Sequence, residues 1–390
     1  SATFLLLFNL KIKIKIGMKI IVLGAGMVGR AIAFDLSQKH EVTSADISSI
    51  ALSEVKKHGV NVIQIDLSNF SKLHELVNDF DLVVSAVPGF MGYRTIETLI
   101  ACGKNVVDIS FMPEDFMELN QKAIEKNVTV ITDCGVAPGM PNVILGYYNT
   151  MMQIDEFFYM VGGLPKFRNY PFQYKAPFSP IDVLEEYTRP ARCVENGKLI
   201  TKPALSEPEL FRFDNIGDLE GFNTDGLRSI LETMKHIPNM KEKTLRYPGH
   251  IDLIKALKAS GFFSNSPIES GEKSIVPMEF TAKILFSDWK LLPNEPEFTV
   301  MRVIVKGQNN GKPTTITYDL YDEYDAKTQQ WSMARTTGYT ATAAVNLIAN
   351  GLFKKPGVFP PELIGSNKEC FEYIINYLKE RNIVYKKTES

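Results

Sequence analysis

From Met18 to about Thr132 the chain alternates short apolar runs with stretches in which apolar residues recur at helical spacing. The runs Ile20–Leu23, His40–Ala45, Val60–Ile65, Asp81–Ala86, Asn105–Ile109 and Val128–Thr132 read as buried strands. Between them Val28, Ile32 and Leu36 mark one helix, and Ser48 and Ser71 cap two more; a helix from about Arg94 stops at Gly103, and another begins at Pro113. Strands alternating with helices predict a doubly wound parallel sheet, an α/β Rossmann fold with right-handed crossovers.

The pattern changes at Asp133–Pro141, where DCGVAPGMP is too rich in glycine and proline to continue an element. Beyond it come aromatic strand-like runs, a hairpin signal at Glu195-Asn196-Gly197-Lys198, and alternating strands near Met278–Phe286 and Glu297–Val305. This section predicts a second, α+β domain on a mostly antiparallel sheet. The expected division is 1–17 as an extension, 18–139 as the Rossmann domain, 140–332 as a substrate-binding and dimerisation domain, and 333–390 as a segment returning to the first domain. The apolar Phe4–Phe8 is too short to span a membrane, and its lysines follow it rather than precede it. Met18 therefore reads as the functional start.

The first helix is entered through Gly24-Ala25-Gly26-Met27-Val28-Gly29, directly after a buried strand. That context makes the glycines a dinucleotide fingerprint: Gly24 for the turn, Gly26 for approach of a pyrophosphate, Gly29 for helix–strand packing. Met27 and Val28 place helix N–H groups at the phosphates. Asp46, ending the second strand, is set to accept hydrogen bonds from ribose hydroxyls and to repel a 2′-phosphate, so NAD is expected over NADP. Asp66 and Leu67 fall where adenine would lie, and Ala86, Val87 and Pro88 where ribose and nicotinamide would lie.

Composition narrows the classes. The 390 residues are 45% hydrophobic and 23% charged, with a net charge of −2. This is ordinary for a soluble globular protein, without the basic surface of a nucleic-acid binder. The 4 cysteines form no C-x-x-C pair and the 5 histidines show no metal-ligand spacing, so no metal site or disulfide framework is predicted and a cytoplasmic setting is expected.

Candidate chemistry collects at strand ends and in one polar cluster. Asp108 and Asp133 follow the later strands, where nicotinamide would lie, and can hold a cationic amine or take its proton. Cys134 reads as a buried lining residue. In the second domain, Lys243–His250 offers Thr244, Arg246 for a substrate carboxylate, and Tyr247 and His250 for proton transfer; Asn223-Thr224-Asp225-Gly226 and Tyr187–Arg192 add polar contacts. The general base stays open among Asp108, Asp133, Tyr247 and His250.

Together with Asp46, the runs VVSAVPG at Val83–Gly89, VVDISFMPED at Val106–Asp115, DCGVAPGMPN at Asp133–Asn142 and KTLRYPGH at Lys243–His250 give the chain a family likeness. So do the long runs from Tyr174 and Ala334. It resembles the saccharopine dehydrogenase family, closest to its lysine 6-dehydrogenase branch. The resemblance implies a two-domain enzyme oxidising a carbon–nitrogen bond at C6 of lysine or of an N6-substituted lysine, with NAD as acceptor. The lysine branch yields 2-aminoadipate semialdehyde and ammonia, and the saccharopine branch releases glutamate. An acid at Asp46 departs from the NADP-using saccharopine reductases and favours the lysine branch. Alternatives are a glutamate-forming saccharopine dehydrogenase, a carboxynorspermidine-type reductase and a non-catalytic NAD-binding sensor. The expected partners are a small amino-acid substrate and copies of the chain itself, as a homodimer or higher homo-oligomer, with no nucleic acid and no membrane.

Overall fold

The computed structural model describes residues 17–176, 180–214 and 216–390, so the expected extension before Gly17 lies outside the described residues. Six strands, β1 (Lys19–Leu23), β2 (Glu41–Asp46), β3 (Asn61–Gln64), β4 (Leu82–Ser85), β5 (Asn105–Asp108) and β6 (Thr129–Ile131), form the predicted parallel sheet. Helices cover both faces, which is why β1 reads as a continuous apolar run rather than an alternating one. β1 lies between β2 and β4, so the crevice where strand order reverses opens at its carboxyl end. Two helix starts differ from expectation. Pro88, with φ −56°, starts a helix at Gly89, upstream of Arg94. Asn69 rather than Ser71 caps the helix Phe70–Leu76, its side chain accepting from the Lys72 N–H at 3.1 Å.

The second sheet is built from β7 (Gln153–Pro165), β8 (Ala191–Glu195), β9 (Lys198–Lys202), β10 (Glu209–Phe213), β11 (Gly217–Asn223) and β12 (Asn239–Arg246). After the small hairpin β13 (Ile268–Ser270) and β14 (Lys273–Ile275) it gains β15 (Glu297–Asn309) and β16 (Lys312–Glu323). The run Met278–Phe286, predicted as strand, lies in the helix Pro277–Trp289: only Thr281, Leu285 and Trp289 are buried, at the i, i+4 spacing of one helix face. Pairing is antiparallel except between β7 and β12 at the centre, which run parallel. The expected hairpin at Asn196-Gly197 joins β8 to β9.

The last segment ties both sheets together. Helix Ser332–Ala349 packs on helix Met27–Ser37 so closely that a Cβ at Gly338 would stand 3.3 Å from Ala31 Cβ. β17 (Gly357–Phe359) then extends the parallel sheet beside β6, and β18 (Tyr385–Glu389) extends the second sheet beside β16. Between them Tyr377 and Arg381 both donate to Asp35 of the first helix, at 2.6 and 2.7 Å. No helix among the described residues is long and apolar enough to cross a membrane.

Candidate active site

A cleft of about 670 Å³ runs from the glycine loop to the second sheet. At its first end Gly24 adopts φ +107°, and a Cβ there would sit 2.4 Å from the Ala86 carbonyl oxygen. A Cβ at Gly29 would meet the Gly24 carbonyl oxygen at 2.1 Å, whereas one at Gly26 would meet nothing within 4 Å. Two glycines thus serve packing, and the third leaves open space beside the N-terminus of helix Met27–Ser37, a cradle of the kind a pyrophosphate fills. Asp46 is held in place: Oδ2 accepts from Ala25 N–H at 2.7 Å and Oδ1 from Ser48 N–H at 2.7 Å. Ile47, Asp66 and Leu67 line the same end, and among the described lining residues there no lysine or arginine appears. Asp66 accepts from the Ser68 hydroxyl and N–H, which hold its carboxyl below the ordinary range. These residues fit the adenosine end of a pyridine nucleotide. Ala86, Val87 and Pro88 continue the wall toward Ser110, Phe111 and Asp133.

The far wall follows from strand alternation. Glu242, Thr244 and Arg246 of β12 and Tyr159, Val161 and Gly163 of β7 share the face that lines the cleft. Thr224 donates to Glu242 Oε2, and its Oγ1 lies 2.9 Å from the Thr244 hydroxyl. Burial pushes the Glu242 carboxyl up to about 8; the Thr224 bond pulls the other way, and the charges of Glu186 and Asp225 add to the rise. Beside it Tyr159 donates to the Gly226 carbonyl at 2.7 Å. A Cβ at residue 226 would come within 2.7 Å of the Tyr159 hydroxyl and 2.9 Å of the Glu242 carboxyl carbon, so a side chain there would displace one or both of them.

Arg246 lies in this wall, but its donors are engaged. Nε donates to the Tyr187 hydroxyl at 3.1 Å, one terminal nitrogen to the Leu245 carbonyl at 2.9 Å, and the other to Glu186 at 2.7 Å and Tyr174 at 3.4 Å. Its side chain is 2% exposed, against 26% for Arg189, the other guanidinium on the cleft, which pairs with Glu185 and lies 5.4 Å from the Phe111 ring. On the cofactor side Asp133 accepts from Arg228 Nε at 2.7 Å. Its other oxygen is buried with no hydrogen-bond partner among the described residues, and the residue lines the cleft.

Comparison with known proteins places this architecture. Residues 20–131 match the model of the saccharopine dehydrogenase NADP-binding domain, and residues 135–384 that of the saccharopine dehydrogenase C-terminal domain. The chain belongs to the saccharopine dehydrogenase family. It carries that family's pyridine-nucleotide-binding domain. The NADP(+), L-glutamate-forming saccharopine dehydrogenase of Saccharomyces cerevisiae is 23% identical over 455 positions, covering 96% of this chain and 99% of the relative. The mitochondrial alpha-aminoadipic semialdehyde synthase of Mus musculus is 27% identical over 193 positions, covering 47% of this chain and only 21% of the synthase. The solved apo structure of the yeast enzyme superposes with a TM-score of 0.78 at 20% identity, covering 96% of this chain and all of that one, which establishes the shared fold.

Within this saccharopine dehydrogenase fold, four of the predicted site residues stand off the cleft. Asp108 is buried beneath Ser110, whose N–H and hydroxyl it accepts at 3.0 and 2.8 Å; burial raises its carboxyl to about 7. Asn223 pairs with Lys243 in register, so both point away from the cleft, and Asn223 donates to Ser206 and Glu207. Tyr247 also faces away and donates to the Pro165 carbonyl at 2.9 Å. His250 is locked between the Phe172 carbonyl at 2.8 Å and the Tyr187 hydroxyl at 2.9 Å. Because the carbonyl can only accept, Nδ1 carries the proton and Nε2 accepts from Tyr187. Burial and then Arg246 lower its pKa to about 3, so it is neutral. Cys134 is buried as expected, its thiol pushed up to about 12. Sequence reasoning passed over Glu186, Arg228 and Glu242. Glu242 carried a usable signal, since it alternates with Thr244 and Arg246 along one strand.

Proposed function

We propose that this member of the saccharopine dehydrogenase family oxidises the C6 amine of free L-lysine with NAD, giving 2-aminoadipate semialdehyde and ammonia. The observation that carries the reading is the acidic lining of the substrate end: among the described lining residues Asp133, Glu185, Glu186, Asp225 and Glu242 stand beside two guanidiniums, Arg189 and Arg246, each already paired with a glutamate, while Arg228 and Arg192 pair Asp133 and Asp225 from outside the lining. Lysine brings two ammonium groups and one carboxylate, which suits this balance. Saccharopine brings three carboxylates and would need more cationic partners than the wall offers.

In this reading Arg189, the more exposed guanidinium, takes the substrate carboxylate, and Arg246 anchors Glu186 for the α-ammonium. Asp133, which lines the cleft and keeps one buried oxygen without a hydrogen-bond partner among the described residues, receives donors at the nicotinamide end. When bound, the oxidised nicotinamide supplies the two-electron acceptor. NAD is assigned because Asp46 and Asp66 stand where a 2′-phosphate would need a cation.

A second reading, glutamate-forming saccharopine dehydrogenation, is favoured by the name of the yeast relative, which aligns over 96% of the chain. The deciding experiment follows reduced-nicotinamide formation with lysine or saccharopine as the sole amine, each with NAD and with NADP. Turnover of saccharopine and not of lysine would replace the first reading by the second.

A further inference from the structure

Oxidation of an amine requires that its nitrogen first lose a proton, and at the pH of a cell the C6 nitrogen of lysine is an ammonium group. The group that takes this proton must reach the cleft, must be able to exist as a base, and must lie where both domains meet. Of the four residues the sequence nominated, Asp108, Tyr247 and His250 are turned away from the cleft. Asp133 lines it, but one of its carboxylate oxygens is already taken by the Arg228 guanidinium.

We propose, resting on the function above, that Glu242 is the proton acceptor for the substrate ammonium. Its carboxyl belongs to the cleft wall, and its orientation is set by the Thr224 hydroxyl on one side and by the space that Gly226 leaves on the other. Tyr159, beside Glu242 in the register of β7 with β12 and bonded to the Gly226 carbonyl, lines the same cleft as Asp133. The step is a simple transfer. One N–H bond of the ammonium breaks and one O–H bond forms on Glu242, leaving a neutral amine and a neutral carboxylic acid, with no change of oxidation state.

Among the described residues, the charged and titratable groups acting on Glu242 from neighbouring elements are Tyr159 from β7, Asp225 from the turn after β11 and Glu186 from helix Pro180–Thr188; Arg246 lies farther along its own strand. Glu186 and Asp225 repel its charged form, so it protonates more readily than an ordinary carboxylate. A carboxylate of ordinary acidity would be a poor acceptor; one titrating nearer the working pH suits the task.

The test measures turnover by the unaltered chain, Glu242→Gln and Thr224→Val from about pH 6 to pH 10 with NAD, first on lysine and then on saccharopine. For the unaltered chain the expected rate has a limb rising near pH 8. In Glu242→Gln that limb disappears, kcat falls about 100-fold or more, and NAD binding is unchanged. In Thr224→Val the limb moves to higher pH, since the lost hydrogen bond had favoured the charged carboxylate. A readout independent of turnover is stability. The raised carboxyl makes the unaltered fold lose stability as pH climbs from about 4.5 through 8, a loss Glu242→Gln should lack.

Glu242→Gln turning over within about threefold of the unaltered chain, with its rising limb intact, would overturn the proposal. So would an unmoved limb in Thr224→Val, which covers the case of a misfolded Gln variant. If saccharopine and not lysine is oxidised, the lysine assignment fails while Glu242 is decided on saccharopine, whose secondary ammonium must also lose a proton. Inactivity on both amines overturns both.

Discussion

Arg228 Nε and Asp133 Oδ2 lie 2.7 Å apart, and the pair joins the second domain to the end of the parallel sheet. Both side chains are buried, at 7% and 1% exposure, and the guanidinium also lies 4.4 Å from the Phe111 ring. Removing one member of such a pair leaves an uncompensated charge, costing about 3 to 5 kcal/mol. Arg228→Ala should therefore lower the denaturation midpoint markedly and weaken amine binding, with Arg228→Lys intermediate. Urea titration and KM for the amine check this, and a midpoint unchanged in Arg228→Ala would refute it.

Cofactor choice is expected to rest on Asp46. The unaltered chain should show higher kcat/KM with NAD than with NADP, and Asp46→Ala should narrow the gap chiefly by admitting NADP. The same variant also loses the bonds to Ala25 and Ser48, so some loss of NAD affinity accompanies it. Steady-state kinetics with both cofactors decide the matter; equal kcat/KM in the unaltered chain would contradict it.

The two arginines of the cleft should separate by role. Arg189→Ala is expected to raise KM for lysine by the equivalent of about 2 to 5 kcal/mol while leaving NAD binding intact. It should matter little for 1,5-diaminopentane, which lacks the carboxylate. Arg246→Ala should harm both amines and also stability, because it removes the buried guanidinium bonded to Glu186 and to the Tyr187 hydroxyl, leaving that hydroxyl its bond to His250. Equal sensitivity of the two amines to Arg189→Ala would remove that residue from carboxylate recognition.

His250 should act on stability and not on catalysis. Its folded pKa of about 3 lies below the ordinary 6.5, so the unfolded chain binds a proton between those values and the folded one does not. Its contribution is thus fully present above pH 6.5 and lost as pH falls toward 3, up to about 5 kcal/mol. Replacement by glutamine should flatten the fall in stability on acidification and leave the rising limb of the rate profile in place. Denaturant titrations at several pH values, beside the rate profile, would show whether it does.

How far the sequence carried the argument differs between the two domains. Buried strands of a parallel sheet are local apolar runs, and a glycine loop with its strand and helix is contiguous, so the first sheet, its fingerprint and Asp46 were all legible from local pattern. Asp133 was legible too, as a strand-end acid on the correct edge of that sheet. Of the nominated KTLRYPGH residues, Thr244 and Arg246 lie on the cleft while Tyr247 and His250 stand off it. A one-residue step along β12 moves a side chain from the cleft to the core, and only pairing with β7 and β11 decides which set faces which way.

By itself, then, the sequence determined the family likeness, the nucleotide-binding sheet and the change of pattern at Asp133–Pro141, because each depends on residues close together in the chain. Tertiary structure alone decided that Glu242 lines the cleft while Tyr247 does not, that Arg246 is tied to Glu186, and that Arg228 meets Asp133 across 95 positions of sequence. Burial and distant charges set the properties of these groups, as with the Glu242 carboxyl pushed up to about 8 and the His250 ring down to about 3. Those surroundings exist only once the two sheets have been brought face to face.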